Sequence, residues 1–228
     1  KTNYQSVFAK FSGSVAAPTA SLHFNQNLVE NLKTKGVDIK TLVLHVGAGT
    51  FKPVSTDDVT DHEMHAEEFT LSLTFVKDML NLLKTNKNII PVGTTALRAL
   101  ESMYWTGCYL SQNPETDLNN FTLSQWYCYT ASNDLSPIES FQTLKDYLQK
   151  HQLNHIQLKT QIIIAPGYQH KIINALITNF HQPKSTLLLL IASLMGTHWN
   201  KIYNYALQHN FRFLSYGDGC LIYPNNTL

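Results

Sequence analysis

The chain has 228 residues, 43% of them hydrophobic, and a formal net charge of +1. This length and composition allow a sizeable core, whereas the near-neutral charge excludes the broad positive field of a protein that holds nucleic acid mainly through phosphates. No apolar run approaches the roughly 20 residues that cross a bilayer, so no membrane span is predicted. The three widely spaced cysteines fit neither a disulfide framework nor a paired-thiol zinc site, and we predict a cytoplasmic location.

The first predicted element is a helix that follows a loop of small residues. Residues 1–5 contain neither an initiator methionine nor an apolar stretch, so we expect a C-terminal part of a longer protein. Small side chains at 13–20 would let a ligand approach the backbone, although a tight packing turn is the alternative explanation. Phe24, Leu28 and Leu32 recur every four residues and predict a helix that ends at Gly36.

Residues 39–46 predict a buried strand, because they are dense in leucine, valine and isoleucine. The strand leads directly into Gly-Ala-Gly-Thr at 47–50, and glycines at the carboxyl end of a strand lie where ligands usually bind in an α/β sheet. The dinucleotide-binding fingerprint fails, since Lys52 occupies its third glycine position. The glycine loop of methyltransferases is matched only in part, because His45 stands where an acidic residue is expected.

Two histidines and four carboxylates within residues 61–68 invite a metal-site interpretation. His62 and His65 are three residues apart, whereas the zinc-binding His-Glu-x-x-His helix needs a spacing of four. We therefore predict no metal, and favour a polar strand or loop that places one histidine in a pocket.

The next predicted elements are an amphipathic helix over residues 73–83, a short strand over 88–92, and a second helix. A Gly-Thr-Thr turn at Gly93 opens the second helix, with Arg98 one turn further on. Threonine hydroxyls and free N–H groups at such a helix start favour an anion. The alternative is a simple helix cap with a surface ion pair between Arg98 and Glu101.

Residues 108–133 show little periodicity and are interpreted as a peripheral insertion or hairpin within a single domain. A capping box at Ser136 opens another helix, because Pro137 and Glu139 follow at the required spacing. Residues 161–165 predict a strand. Residues 211–223 predict a hairpin whose turn is Gly217–Gly219.

The most informative stretch is residues 176–187, in which polar and ring-bearing side chains interrupt an apolar segment. Ser185 is a good N-cap for a buried helix over 186–195 that ends at Gly196. Three further polar residues precede that helix: Asn179, His181 and Lys184. A polar or anionic ligand is readily held at such a boundary, and the alternative is a buried loop whose polar groups bond one another.

Eight motifs taken in order resemble the S-adenosylmethionine:tRNA ribosyltransferase-isomerase family of queuosine biosynthesis. They lie at residues 4–5, 13–20, 44–54, 62–67, 92–102, 166–168, 176–187 and 213–218. Several are eight or more residues long, and together they span nearly the whole chain apart from 108–133. The resemblance implies transfer and isomerisation of the ribosyl moiety of S-adenosylmethionine onto the 7-aminomethyl-7-deazaguanine base of tRNA. It also implies that epoxyqueuosine is the product and that adenine and methionine are released.

The chemistry implied by this resemblance suggests roles for the candidate residues. A neutral imidazole can remove the proton beside a sulfonium, and departing adenine needs a proton donor. The candidates for these catalytic steps are His45, His181 and His23. The predicted S-adenosylmethionine-binding residues are Gly47, Gly49, Thr50, Thr94, Thr95, Arg98 and Asn179, with Arg98 and the two threonines facing the methionine carboxylate. The predicted tRNA-binding residues are Lys52, Lys184 and Arg212.

The overall prediction is an α/β fold with three layers, in which helices cover both faces of a mixed sheet. The family's N-terminal part, which contains a β-barrel, is expected to be absent from this chain. No metal or cofactor is predicted, since S-adenosylmethionine is a substrate. Two alternatives are a binding module for S-adenosylmethionine without turnover, and a methyltransferase that uses S-adenosylmethionine.

Overall fold

The computed structural model of the chain describes residues 6–8, 18–45, 58–132 and 134–224. These residues form seven α-helices: α1 Gln26–Thr34, α2 Leu73–Lys84, α3 Thr94–Gln112, α4 Tyr127–Thr130, α5 Pro137–Lys150, α6 Thr186–Met195 and α7 Trp199–Gln208. They also form six strands: β1 Val43–His45, β2 Glu67–Ser72, β3 Thr122–Leu123, β4 His155–Thr160, β5 Leu176–Asn179 and β6 Gly219–Ile222. Within the described residues, no helix has the length and apolar character of a membrane span.

The strands form two sheets, and the larger one is mixed. Its order is β1-β2-β4-β3, with antiparallel pairing except between β3 and β4, which run parallel. The smaller sheet pairs β5 with β6 antiparallel. The segment before α3 runs beside β5, where Val92 forms a parallel bridge with Ile177. The prediction of an α/β fold with a mixed sheet is confirmed.

The helix predictions at 73–83, 136–139 and 186–195 are confirmed, because each helix carries its own start signal. Ser136 and Glu139 form the reciprocal capping box of α5. The Ser185 hydroxyl accepts a hydrogen bond from the backbone N–H of Leu188, and α6 ends at Gly196 with a positive φ of 53°. The predicted helix after residue 24 is α1, which is capped by Asn25.

The prediction of a buried strand over 39–46 is wrong in both length and burial. Within the described residues the strand is Val43–His45, at the edge of the larger sheet. Val43 is 37% exposed, because β2 is the single neighbour of β1 among the described strands. An edge strand with one partner buries less of its surface than a central strand. The apolar composition of residues 39–46 alone therefore led to the wrong prediction of a buried strand.

The strand predicted at 161–165 is displaced from the one that forms. β4 is His155–Thr160, whose residues alternate between exposed and buried. The following apolar residues are buried but extend beyond the sheet, where the N–H groups of Gln161 and Ile163 donate to the carbonyls of Leu123 and Gln125. The alternation with period two was the better signal for the strand.

The hairpin predicted at 211–223 does not form. β6 pairs instead with β5, in a register that places Gly219 opposite Asn179 and Ile222 opposite Leu176. Residues 212–218 form a loop whose two ends are hydrogen-bonded, because the N–H of Asp218 donates to the carbonyl of Arg212 at 2.8 Å.

Residues 108–132 are not peripheral, contrary to the interpretation as an insertion. They complete α3, pass through a short turn, and add β3 to the sheet beside β4. Leu118 and Leu123 are 1% and 0% exposed and lie in the core. Their weak periodicity reflects short elements that are buried by long-range packing.

The core surrounds α3, which is buried along most of its length. α3 packs closely on α5, because Gly107 has no side chain at the contact. A Cβ at Gly107 would lie 2.2 Å from Ser140 Oγ and 2.3 Å from the Ser140 carbonyl oxygen. Ser140 Oγ in turn donates to the Tyr104 carbonyl at 2.6 Å. A helix buried on nearly all sides can hold charged residues only where they have specific partners.

Candidate functional site

A polar corner lies where β5 ends and β6 begins. The side-chain amide nitrogen of Asn179 is 3.2 Å from His23 Nε2, and it donates to the Leu214 carbonyl at 3.1 Å and the Gly217 carbonyl at 3.5 Å. Asn179 is 1% exposed, and its Oδ1 has no hydrogen-bond partner among the described residues. The amide group is therefore fixed by its nitrogen, while its oxygen is available as an acceptor.

His23 is exposed and packs directly on the first residue of β6. A Cβ at Gly219 would lie 3.0 Å from His23 Cδ2, so a larger residue there would push the ring away. The hydrogen bond from the Asn179 amide to Nε2 forms when the ring is neutral with its proton on Nδ1. The structure thus brings two predicted site residues together.

The predicted anion corner at the start of α3 lies beside this pair. Gly93 caps α3 with a φ of +95°, a conformation that favours glycine, and its N–H donates to the Ile177 carbonyl of β5 at 2.8 Å. A Cβ at Gly93 would lie 3.8 Å from Ala20 Cβ, on the turn Thr19–His23 that carries His23. Thr94 is buried and Thr95 is half-buried, in the first turn of the helix.

His181 is buried behind the same strand. Its Nε2 is 2.9 Å from Thr178 Oγ1, and its backbone N–H donates to the Tyr203 hydroxyl at 3.1 Å. Burial lowers the pKa of His181 to about 4, so its imidazole is neutral at neutral pH. A neutral imidazole can accept a proton, which is the state that a general base needs.

Arg98 is buried in an ion pair with a strand, not at the surface. Its Nη1 is 3.2 Å from Glu67 Oε1, and the two side chains are 5% and 4% exposed. His65 Nε2 lies 3.3 Å from the same Glu67 oxygen. Arg98 Nε and Nη2 are buried and have no hydrogen-bond partner among the described residues. Arg98 therefore keeps one edge of its guanidinium group for another acceptor.

The alternative of a surface pair between Arg98 and Glu101 is wrong, because Glu101 is fully buried and has other partners. Its carboxylate accepts from the Tyr168 hydroxyl at 2.6 Å and from the backbone N–H groups of Lys171 and Ile172 at 3.0 and 3.1 Å. Burial raises the pKa of Glu101, and these hydrogen bonds act in the opposite direction. Glu101 fastens the segment before β5 to α3.

A cleft of about 400 Å³ opens beside the Arg98 pair. Its lining consists of a polar segment of the chain and two residues from elsewhere: His62, Glu63, Met64, His65, Ala66, Gln161 and Thr186. The Gln125 side chain fixes the polar segment, since it donates to the His62 carbonyl at 2.6 Å and accepts from the Met64 N–H at 2.9 Å. Both histidines of the segment therefore lie in the cleft wall. Among the described residues no group of three or more His, Cys, Asp or Glu could hold a metal ion.

The other predicted site residues are spread around this region or lie outside the described residues. His45 is exposed on β1, opposite Glu68. Lys184 is exposed and has a φ of +54°. Arg212 is exposed but pairs with Asp218 at 2.7 Å, and this hydrogen bond lowers the pKa of Asp218. Four predictions fall outside the described residues: Gly47, Gly49, Thr50 and Lys52.

Glu67 is a buried residue of this region to which the sequence assigned no role. A signal was present, because Glu67, Phe69 and Leu71 alternate along β2 and all face the core. A carboxylate at an inward position of a strand requires a buried cation or several donors. The Arg98 guanidinium supplies that partner.

Comparison with known proteins supports the family resemblance that the sequence motifs indicated. A family model described as "Queuosine biosynthesis protein" matches residues 1–222. An S-adenosylmethionine:tRNA ribosyltransferase-isomerase of Jannaschia sp. (strain CCS1) is 39% identical over 224 residues, which cover 98% of this chain and 51% of the relative. The equally named protein of Vesicomyosocius okutanii subsp. Calyptogena okutanii (strain HA) is 38% identical over 229 residues, with 100% and 54% coverage.

A solved structure is also similar. The crystal structure of an S-adenosylmethionine tRNA ribosyltransferase from Thermotoga maritima matches with a TM-score of 0.55 and 27% identity. The match covers 89% of this chain and 51% of that structure. This chain thus spans about half the length of the relatives that it matches.

Proposed function

The chain belongs to the queuosine biosynthesis protein family, and from this membership we propose that it transfers and isomerises the ribosyl moiety of S-adenosylmethionine onto tRNA. The accepting group is the 7-aminomethyl-7-deazaguanine base, the product is epoxyqueuosine, and adenine and methionine leave. This chemistry requires neither a metal nor another cofactor, because S-adenosylmethionine is itself the substrate. Both substrates are consistent with a cytoplasmic location, which we also propose.

The observation that carries the proposal is the polar corner formed by His23, Asn179 and the start of α3. Asn179 Oδ1 is buried without a partner among the described residues, and its amide nitrogen is 3.2 Å from His23 Nε2. A buried acceptor beside an exposed imidazole suits a ligand that offers a hydroxyl or amine and then undergoes proton transfer. S-adenosylmethionine carries ribose hydroxyls, an adenine amine and an acidic methylene beside its sulfonium.

His23 is our first choice among the three catalytic candidates. It is exposed, so a substrate can reach it, and Asn179 sets its orientation. His181 is neutral at neutral pH but is buried behind β5, where its Nε2 is engaged with Thr178. His45 lies on the edge strand, directly before residues 46–57. We propose that His23 transfers the proton and that His181 supports the corner from behind.

We further propose that the fold is a single α/β domain with three layers. Contacts of α2 with β2 and of α3 with β3 support helical cover of the larger sheet, and α3 also contacts β5 of the smaller sheet. The fold would then place the predicted ligand residues at the strand ends, where α/β folds usually bind ligands. Lys184 is proposed to lie at the rim of the site and, together with Lys52 and Arg212, to meet tRNA phosphates.

The proposed function is tested by incubating the chain with S-adenosylmethionine and tRNA that carries the deazaguanine precursor. We expect adenine, methionine and epoxyqueuosine, identified by mass spectrometry. S-adenosylhomocysteine would overturn the proposal in favour of a methyltransferase. Binding of S-adenosylmethionine without formation of any product would overturn the proposal in favour of a binding module without turnover.

Matched variants test the role of His23. His23→Gln should lower turnover by roughly 10²- to 10⁴-fold, the usual contribution of a general acid or base. Its affinity for S-adenosylmethionine should change little. His155→Gln removes an exposed imidazole from the far end of the larger sheet and is the control. Equal turnover of the two variants would remove His23 from the mechanism.

A further inference from the structure

Arg212 and Asp218 join the two ends of the loop that precedes β6. One oxygen of the Asp218 carboxylate accepts from Nη2 of Arg212 at 2.7 Å and from Nε at 3.3 Å, and the other accepts from the Arg212 backbone N–H at 2.8 Å. The backbone N–H of Asp218 donates in turn to the Arg212 carbonyl at 2.8 Å. An exposed ion pair alone stabilises a protein little, but here the backbones of both residues take part. The pair therefore fixes the loop at both ends.

The loop between these two residues is tightly closed. The N–H of Leu214 donates to the Phe180 carbonyl at 2.9 Å, and the N–H of Gly217 donates to the Leu214 carbonyl at 3.0 Å. A Cβ at Gly217 would lie 2.5 Å from the Arg212 carbonyl oxygen, so a larger residue would force the loop open. Leu214 has a φ of +68°, in the left-handed region that leucine rarely enters. Such a conformation persists only where the surrounding contacts impose it.

The carbonyl groups of this loop hold the side-chain amide of Asn179. The amide nitrogen donates to the Leu214 carbonyl at 3.1 Å and to the Gly217 carbonyl at 3.5 Å. An amide oxygen in this position would face two carbonyl oxygens, so the surroundings assign the nitrogen to this side of the amide. The Asn179 amide therefore keeps one orientation as long as the loop keeps its shape.

The fixed amide selects one form of the His23 ring. Because the amide nitrogen of Asn179 can only donate, Nε2 of His23, 3.2 Å away, is the nitrogen without a proton, and Nδ1 carries the proton of the neutral ring. Gly219 packs against the same edge of the ring, since a Cβ there would lie 3.0 Å from Cδ2 and 3.1 Å from Nε2. His23 is exposed, so the opposite edge of the ring, with its Nδ1–H donor, is the edge that a substrate can reach.

We propose that Arg212 and Asp218 are positioning residues for catalysis: through the loop and the Asn179 amide, the pair holds His23 in the tautomer that presents Nδ1–H to the substrate. The inference rests on the proposed function for the reaction that His23 serves. It adds a role to the proposed tRNA contact of Arg212, because the pair acts on His23 whether or not RNA is bound. Loosening the pair should therefore change the His23 ring first and RNA affinity little.

The tautomer is measured by ¹⁵N NMR of the histidine rings at about pH 8, where ordinary imidazoles are neutral. The His23 signals are those that disappear in His23→Gln. We expect an unprotonated Nε2 and a protonated Nδ1 in the wild type, and a mixture of the two tautomers in Asp218→Asn. Gly217→Ala disturbs the loop without changing a charge and should give the same mixture. A mixture in the wild type, or a single Nδ1–H tautomer in either variant, would overturn the inference.

Steady-state kinetics separates positioning from tRNA binding. Asp218→Asn keeps the Arg212 cation, so kcat should fall roughly 10- to 100-fold, as for a misplaced catalytic group, while KM for tRNA changes less than about twofold. The control is Glu115→Gln, which removes a carboxylate from another exposed ion pair, with Lys150 at 2.8 Å, and should keep the wild-type kcat. A raised KM with unchanged kcat in Asp218→Asn, or an equal loss of kcat in the control, would overturn the inference. A wild type that releases no adenine would overturn the proposed function instead, and the NMR measurement would still decide the inference.

Discussion

Replacing His181 with glutamine should remove part of the protein's sensitivity to acid. His181 is 8% exposed, and burial lowers its pKa from 6.5 to about 4. Between these pH values the unfolded chain binds a proton at this residue and the folded chain does not. The free energy of unfolding therefore falls as the pH falls from 6.5 towards 4, and this contribution is fully present only above the unfolded pKa.

The size of the effect follows from the two pKa values. Each pKa unit corresponds to about 1.4 kcal/mol, so the shift of His181 amounts to about 3 kcal/mol once the pH is below both values. Between pH 7 and pH 5 the same linkage gives a loss of about 2 kcal/mol. Such a loss is a large fraction of the stability of an ordinary domain, which is about 5–15 kcal/mol.

The assay is urea unfolding of the wild type and His181→Gln at pH 7 and pH 5. The difference in free energy of unfolding between the two proteins should shift by about 2 kcal/mol in favour of the variant at pH 5. His170, whose pKa burial also lowers to about 4, contributes equally to both proteins and cancels. His155→Gln removes an exposed imidazole and is the control. A difference that stays constant with pH would refute the reasoning.

Three further substitutions test the packing that supports the site. Gly107→Ala should cost about 3 kcal/mol or more, because its Cβ would meet Ser140 at 2.2 Å; an unchanged thermal midpoint would contradict the close packing of α3 on α5. Ser185→Ala should cost about 1 kcal/mol in urea unfolding through loss of the α6 cap, and Ser185→Asn should restore most of it. Tyr168→Phe should cost about 1–3 kcal/mol by the same measurement, since Glu101 loses its 2.6 Å donor; wild-type stability would show that Glu101 does not depend on it.

Local signals account for the elements that the sequence predicted correctly. The capping box at Ser136 and the cap of α6 at Ser185 act within one helical turn, so the residues that start each helix lie next to it in the chain. The glycine at 196 ends α6 for an equally local reason, namely its positive φ. These elements depend little on the rest of the fold.

Strand pairing was less predictable because it is not local. The apolar run at 161–165 is buried, but the ladder lies in the preceding residues, where β4 pairs with β2 and β3. β6 pairs with β5, some forty residues earlier, instead of with the residues directly before it. The sequence of a single strand does not determine which other strand it will pair with.

The contacts within the candidate site were also hard to predict, because they are not local in the sequence. His23 and Asn179 were both predicted, but their contact joins residues 156 positions apart and depends on the sheet of β5 and β6. The spacing in the sequence suggested an ion pair between Arg98 and Glu101, three residues apart on a surface helix. Because α3 is buried instead, Arg98 forms its ion pair with Glu67 on β2, and Glu101 accepts a hydrogen bond from Tyr168. Burial of the helix, which the sequence pattern did not reveal, decides both pairings.

The unpaired atoms of the structure constrain the ligand more than the individual motifs do. Five buried side-chain atoms lack a hydrogen-bond partner among the described residues, and three of them belong to Arg98 and Asn179. Folding normally avoids such atoms, so their concentration in two predicted ligand residues is informative. Asn179 Oδ1 can only accept, and the Arg98 edge can only donate to an acceptor, preferably an anion. The two residues therefore differ in what each could bind: Asn179 Oδ1 requires a donor, and the Arg98 edge requires an acceptor.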